Sequence, residues 1–217
     1  LESTELFSRS VGNSSDIVNK ELYSFLDRNK ESVSLRPEGS ASVIRAIIQK
    51  KQEHEKHKLW YQGPMFRYER PQKGRFRQFH QIGVEYLGFQ EGVSEYELIS
   101  MVLHINKSMG ISDFTLKINH LGDANAKDSF CKSLVSFLEP HANKLHEKDQ
   151  IRLSSNPLRV LDSKEKSTIE LLKNAPKFED FISKESKLFL EDLVSAFKGQ
   201  CDIQIDQSLV RGLDYYT

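Results

Sequence analysis

Met65-Phe66-Arg67-Tyr68-Glu69-Arg70-Pro71-Gln72-Lys73-Gly74-Arg75-Phe76-Arg77-Gln78-Phe79-His80 decides how the rest of this chain is read. Five cations (Arg67, Arg70, Lys73, Arg75, Arg77) and one anion (Glu69) fall in it, in a chain whose 31 Lys+Arg balance 31 Asp+Glu. Guanidinium groups hold phosphate oxygens two at a time, so such a patch suits a phosphate-bearing ligand. On composition alone, a solvated hairpin loop with charged edges fits as well. Pro71-Gln72-Lys73-Gly74 has loop chemistry, Leu59-Trp60-Tyr61 leads through Gly63-Pro64 into a strand over Met65–Glu69, and Arg77–Leu87 supplies a second strand. The two are expected to pair antiparallel.

Side-chain parity then separates two faces, because residues i and i+2 of a strand point the same way. Arg67 and Glu69 share a face on the first strand, and Phe79, Gln81, Gly83 and Glu85 share one on the second. That mixture of charge, amide, ring and glycine is wrong for a core. Phe66/Tyr68 and Ile82/Val84/Tyr86 suit packing better, and His80 falls on that side. A buried polar face with no ligand would leave costly unpaired groups. Gly83 is expected to leave room for a ligand close to the backbone.

Working outward, Glu21–Leu26 and Ser32–Leu35 read as a hairpin around Asp27-Arg28-Asn29-Lys30. Arg36-Pro37-Glu38-Gly39-Ser40 sets a carboxylate at a strand end, with Ser40 as cap of a helix carrying Ile44, Ile47 and Ile48. Lys50–Lys58 is charged and expected to be exposed. A helix is predicted over Glu95–Met109, stopped by Gly110, and a half-buried strand over Asp113–His120. From about residue 122 to 200 the chain turns Lys/Glu-rich and helical, broken at Asn156-Pro157 and Ala175-Pro176. Asp202–Asp206 then returns to strand alternation, and Leu209-Val210-Arg211-Gly212-Leu213-Asp214-Tyr215-Tyr216 ends a strand-like run. The class is α+β: an antiparallel sheet flanked by helices, with a helical insertion domain at 122–200 between core pieces 1–121 and 201–217.

Composition narrows the rest. With 217 residues, 38% apolar, no net charge and a mean hydropathy of -0.53, the chain reads as a globular protein rather than a disordered one. No apolar run approaches the roughly 20 residues a membrane helix needs. Cys131 and Cys201 are too few for a disulfide framework and too far apart for a zinc site, and are expected to be reduced and buried. The start, Leu1–Glu5, has no signal-peptide character. His54 and His57 could ligate a metal, but a solvated helix face is the simpler reading; the Lys/Glu run at 144–150 reads as an exposed face. No metal site is expected, and no Ser-His-Asp set, P-loop or dinucleotide fingerprint is present.

Three separated stretches carry a resemblance: Leu35–Gly39, Gly63–Gln81 and Leu209–Tyr216. Together they closely resemble the histidyl-tRNA synthetases, which are class II aminoacyl-tRNA synthetases. The long middle stretch looks like motif 2 of that class, and Arg211-Gly212-Leu213-Asp214-Tyr215-Tyr216 like a histidine-binding motif. Asn156–Asp162 in the insertion is also typical of the family. The resemblance implies a cytoplasmic, homodimeric ligase that uses ATP with Mg2+ to activate L-histidine and loads it on tRNA(His), with no membrane partner. It implies Arg67 and Arg211 as the catalytic cations at the α-phosphate. Glu69, Arg75 and Phe79, together with Arg67, would hold ATP at the adenine amino group, outer phosphates and ring. Glu38, Gln81 and, more weakly, Ser40 would take the histidine ammonium beside Gly39. Glu85 and Tyr216 would take the imidazole, with Tyr215 lining the pocket.

Ser40 departs from the Thr the family often has, but keeps a hydroxyl. Most of motif 1, motif 3 and the anticodon-binding domain have no counterpart in these residues, so a partial catalytic domain of poor activity on its own is expected. Two competing readings are the synthetase-like regulatory subunit of ATP phosphoribosyltransferase and a sister class II synthetase for another amino acid. The set Glu38, Arg67, Gln81, Glu85 and Arg211 speaks against the first, and Arg211–Tyr216 against the second.

Overall fold

The computed structural model of the chain describes residues 1–11, 17–90 and 92–210. Two compact units are present, one covering Leu1–Ser94 and the other starting at Glu95. The first begins with β1 (Glu2–Ser3), α1 (Thr4–Val11) and a π-helical turn at Ile17–Glu21. β2 (Ser24–Leu26) and β3 (Ser32–Ser34) form the predicted hairpin, and β1 adds to its far side in the antiparallel order β1-β3-β2. The Asp27 carboxylate builds the turn by accepting from the Asn29 and Glu31 amides at 2.8 and 2.9 Å. β2 is shorter than expected because the chain up to Glu21 is wound into the π-helical turn. Fully buried Ser34 is satisfied by the hydroxyls of Thr4 at 2.8 Å and Ser24 at 2.7 Å.

The helix α2 (Ser40–Gln49) buries Ala41 and Ile47, and α1, with buried Phe7, packs against it. Then β4 (His57–Phe66) and β5 (Gln78–Leu87) pair antiparallel without a bulge, from His57 opposite Leu87 to Phe66 opposite Gln78. β4 runs straight through Gly63-Pro64. A proline, lacking its N–H, is tolerated there because among the described residues β4 has a ladder on one side only. The strand stops at Phe66, so Arg67 and Glu69 follow it rather than share a face within it. The Arg67 amide still reaches the Arg77 carbonyl at 3.0 Å, but the Tyr68 amide turns away to the Glu21 carbonyl at 2.8 Å. His54 lies in a turn, not on a helix, and the ring Nε2 of His57 sits 2.8 Å from the Gln52 carbonyl oxygen.

The packing expectation for the β4–β5 hairpin holds only in part: Phe66, Val84 and Tyr86 are half-buried. Trp60 and Ile82 lie 70% and 73% exposed, and Tyr68 and His80 are exposed too. The polar face turns inward because the residues leading into α2 lie over it, as the hydrogen bonds from Arg67 to Pro37 and from Ser40 to Glu85 attest.

In the second unit, α3 (Val93–Ser108) begins at the junction and gives way at Gly110, whose φ of 73° favours glycine. β6 (Thr115–Ile118) and β7 (Asp202–Ile205) pair in parallel, Thr115 opposite Asp202. Parallel strands need a long crossover. It is supplied by α4 (Ala124–Leu138), α5 (Glu147–Ser155), α6 (Lys166–Leu172) and α7 (Lys184–Phe197), with 3-10 turns between them. Phe130, Leu134, Leu138, Val160, Phe178 and Leu190 form the heart of their core. Asp123 and Ser183 cap α4 and α7 by accepting from Ala126 and Ser186 amides. Asn156-Pro157 ends α5 and opens a 3-10 turn. Cys131 and Cys201 are free thiols, both partly rather than fully buried. Among the described residues no helix is long and apolar enough to cross a membrane.

Asp149 on α5 is only 1% exposed, and its carboxylate is fully engaged: Ser163 and Thr168 donate hydroxyls at 2.5 and 2.8 Å, and Arg152 donates from Nη1 at 3.0 Å. It therefore ties α5 to α6 and to the loop between them. Asp149→Ala leaves two buried hydroxyls and a guanidinium without their acceptor, and is expected to destabilise the second unit by about 3 kcal/mol or more. Chemical denaturation followed by circular dichroism measures it; a loss under about 1 kcal/mol contradicts this role.

Candidate active site

The Glu38 carboxylate, 9% exposed, accepts from the first amides of α2, Ser40 N at 2.6 Å and Ala41 N at 3.1 Å. A helix start favours such a carboxylate. It also explains why Ser40 does not cap the helix as expected: Gly39 holds the cap position, and the Ser40 hydroxyl instead donates to Glu85 Oε1 at 2.5 Å. Burial holds the Glu38 carboxyl above its usual range, the Ala41 and Ser40 amides pull it part of the way back, and the Glu85 charge adds to the rise. Two carboxylates thus share one small space.

Tyr61 completes this group, and the residue-pattern reading missed it. On β4 it stands opposite Gly83, and its ring fills the space before that glycine: a Cβ built there would come within 2.0 Å of the ring. A Cβ at Gly39 would meet the other side of the same ring at 2.2 Å. The room at Gly83 is therefore occupied by a side chain of the chain itself, not kept for a ligand. The Tyr61 hydroxyl is raised in pKa by burial first, offset by its hydrogen bond with the Ser40 side chain, with Glu85 and Glu38 adding to the rise. The signal was available in the hairpin register: a mid-strand glycine facing an aromatic residue.

Further along the same face lies the cationic group. Arg67 donates from Nε to the Pro37 carbonyl at 2.9 Å, and its guanidinium carbon stands 5.2 Å from the centre of the Phe79 ring. Its Nη1 is 3.9 Å from Glu69 Oε1. Arg75 Nε lies 2.6 Å from Glu69 Oε2, an ion pair without hydrogen-bond alignment. Arg36 crosses Gly63, where a Cβ would meet its Nη2 at 2.3 Å, and donates to the Pro64 carbonyl at 2.8 Å. Arg77, expected among the phosphate cations, instead stacks on Tyr68 at 4.0 Å.

Four buried side-chain polar atoms among the described residues lack a hydrogen-bond partner, and two of them are here: Glu69 Oε2 and Gln81 Oε1. A buried acceptor without a donor is costly, so Gln81 Oε1 marks a place where a donor from outside fits, whereas Glu69 Oε2 already has Arg75 Nε within 2.6 Å. Glu38, Gly39, Ser40 and Glu85 thus meet in one group, Arg67, Glu69, Arg75 and Phe79 in another, and Gln81 lies on β5 between Phe79 and Glu85. Arg211, Tyr215 and Tyr216 lie outside the described residues. Among the described residues no group of three or more His, Cys, Asp or Glu side chains is placed to hold a metal ion.

The family model described as histidyl-tRNA synthetase matches residues 2–217. The chain belongs to the histidyl-tRNA synthetase family. It is 49% identical over 221 residues to the histidine–tRNA ligase of Prochlorococcus marinus (strain NATL1A), covering 100% of this chain and 52% of that one. It is 45% identical over 222 residues to the histidine–tRNA ligase of Latilactobacillus sakei, covering 100% and 51%. The crystal structure of apo Staphylococcus aureus histidyl-tRNA synthetase aligns with a TM-score of 0.74 at 35% identity, over 100% of this chain and 49% of that one. A Bacillus halodurans protein described as an ATP phosphoribosyltransferase regulatory subunit/histidyl-tRNA synthetase shares the fold, with a TM-score of 0.61 at 22% identity. The chain spans about half the length of the curated relatives it matches.

The raised Glu38 pKa has a sign that can be tested. Folding favours the protonated carboxyl, so the stability tied to this group is greatest below its ordinary value of 4.5 and is lost as pH rises through the elevated folded value. Glu38→Gln cannot ionise. Its thermal midpoint relative to the parent chain is expected to improve as pH rises above 4.5 and to level off once the parent's Glu38 is ionised, read by calorimetry; a difference constant from pH 4 upward contradicts the assignment.

Proposed function

We propose that the chain carries the active-site half of a histidine–tRNA ligase, which activates L-histidine with ATP and transfers it to tRNA(His). A carboxylate oxygen of histidine attacks the α-phosphorus, the bond to the bridging oxygen breaks, and pyrophosphate leaves with that electron pair. The terminal ribose hydroxyl of the tRNA then attacks the adenylate carbonyl and AMP departs. Arg67, held by Pro37 and stacked on Phe79, is pre-placed for the charge that builds on the α-phosphate. Arg211 is assigned the opposite side of that phosphate. Phe79 stacks on adenine, Glu69 takes the adenine amino group, and Arg75 leaves Glu69 for the outer phosphates.

The observation that carries the reading is the buried, unbonded acceptor Gln81 Oε1, on the strand face it shares with Phe79 and Glu85, where an ammonium would supply the missing donor. Glu69 Oε2 is held by Arg75 at 2.6 Å and would pass to the adenine amino group as Arg75 leaves. Glu85 and Tyr216 are assigned to the imidazole, with Tyr215 lining the pocket and Ser40 at the ammonium. A side chain without ring nitrogens would leave these groups unpaired. Mg2+ is read as arriving with the ATP phosphates. The helical stretch 122–200 is read as an insertion domain within a core of 1–121 and 201–217, and the working protein as a cytoplasmic homodimer.

Histidine-dependent exchange of pyrophosphate into ATP tests the proposal, on this chain and on one extended by the remaining half of a relative. Exchange with L-histidine, against other amino acids, is expected, with this chain alone slow. Arg67→Ala is expected to lower the rate about 100-fold or more. Exchange with a different amino acid, or none in the extended chain, contradicts the reading.

A further inference from the structure

Arg67, Arg75 and Arg77 stand around Glu69, and they are held in different ways. Arg67 donates to the Pro37 carbonyl and lies against the Phe79 ring. Arg77 donates from Nε to the Glu69 carbonyl at 3.2 Å and stacks on Tyr68. Each of these two is fixed by a backbone carbonyl and a ring. Arg75 is tied by charge instead, with Nε 2.6 Å from Glu69 Oε2. Its side chain is 56% exposed, whereas that of Glu69 is 12% exposed. The second oxygen of Glu69 faces Arg67 Nη1 at 3.9 Å. Both carboxylate oxygens therefore look at cations of the chain itself. Of the close pair, Glu69 is the fixed member, largely covered and pinned through its backbone by Arg77. Arg75 is the movable one, at the end of a turn closed by its amide on the Gln72 carbonyl at 2.9 Å, with open space beside Gly74.

We propose that the Arg75–Glu69 ion pair makes adenine recognition depend on the outer phosphates: Arg75 occupies the adenine acceptor until a polyphosphate draws its guanidinium away, so the site selects ATP over adenosine. This rests on the reading of Glu69 as the acceptor for the adenine amino group and of Arg75 as a cation for the outer phosphates. The selectivity follows from an exchange of partners. A nucleoside brings an amino donor for Glu69 but nothing for the displaced guanidinium, so its hydrogen bond is made at the loss of an ion pair. A triphosphate brings the same donor and also oxygens that a guanidinium can hold two at a time. Arg75 then passes from one anion to another, and Glu69 passes from a cation to the amino group. Histidyl-adenylate also lacks outer phosphates, and is held in addition through its histidine end.

Arg75→Met removes the charge and keeps most of the side-chain length. Adenosine is neutral, so loss of the cation cannot act on it by long-range attraction. Calorimetric titration of the chain extended as above is expected to show adenosine bound about five-fold more tightly by Arg75→Met than by the parent. ATP is expected to bind about ten-fold more weakly, because a charge-assisted contact to its phosphates is gone. Arg75→Ala should match Arg75→Met in both. In a Glu69→Gln background, which has no ion pair to remove, Arg75→Met should leave adenosine affinity unchanged. The thermal midpoint is expected to hold, since a pair with one half-exposed member contributes little to folding. An adenosine affinity that is unchanged or lower in Arg75→Met overturns the proposal. So does a gain confined to Arg75→Ala, which would be a matter of space, or a gain that persists beside Glu69→Gln. ATP binding without the adenosine gain defeats the ion-pair device alone; no ATP binding by the parent defeats the reading of the site and the device with it.

Discussion

Ten residues of β4 lie against ten of β5 in one unbroken register, and the pocket depends on that continuity. A slip of one residue would exchange the two faces of either strand. Trp60 and Ile82 would turn inward, and Tyr61, Phe79, Gln81 and Glu85 would turn out. The register also brings Tyr61 opposite Gly83, so the aromatic ring occupies the space a side chain there would need. Gly39 supplies the matching gap from the other side. The start of α2 is thereby fitted to the hairpin by steric complementarity, and Ser40 and Glu38 arrive beside Glu85 as a consequence.

Electrostatics act within that frame. Glu38 is stabilised by two backbone amides at the start of α2, where the helix terminus favours an anion. Those hydrogen bonds do not cancel the cost of burial, for the carboxyl remains shifted upward. A ligand ammonium arriving between Glu38 and Gln81 would reverse the balance. It would add a positive charge beside Glu38 and donors for Gln81. The energy left unrecovered in the free protein is thus available to binding.

Much of this was legible from residue order, for reasons that differ by region. The β4–β5 pairing, the loop between them and the helical stretch after Gly122 follow from alternation, turn residues and breakers that act locally. The extent of β4 did not. Gly63-Pro64 looks like a strand break until its pairing with β5 is known, and the chain leaves the strand before Glu69 as the Tyr68 amide bonds the Glu21 carbonyl, far away in the chain. Parity located the polar face correctly. Whether it faced inward depended on residues 37–40 crossing over it, which no local pattern encodes. Tyr61 escaped for a related reason: an aromatic on a strand reads as core until the glycine opposite is identified. The helix expected around His54 failed because charged residues in helical spacing carry no commitment without an apolar stripe to bury.

The two most instructive buried acids stand in opposite conditions. Asp149 has hydroxyls on one side, a guanidinium on the other, and nothing left to gain. Its carboxylate is part of the scaffold. Glu38 is buried with its charge poorly compensated, and on the same side of the hairpin Gln81 Oε1 has no donor. Selection for stability alone would replace such groups with apolar residues of similar size, since a half-satisfied polar cluster is worse than none. Their presence together on one face, in a chain able to satisfy Ser34 and Asp149 completely, points to a ligand as the missing partner. The deficit has a pattern as well: it is a shortage of donors. A ligand that ends in an ammonium, carries ring N–H groups and presents an exocyclic amine supplies donors at those places, whereas a purely anionic ligand would supply none.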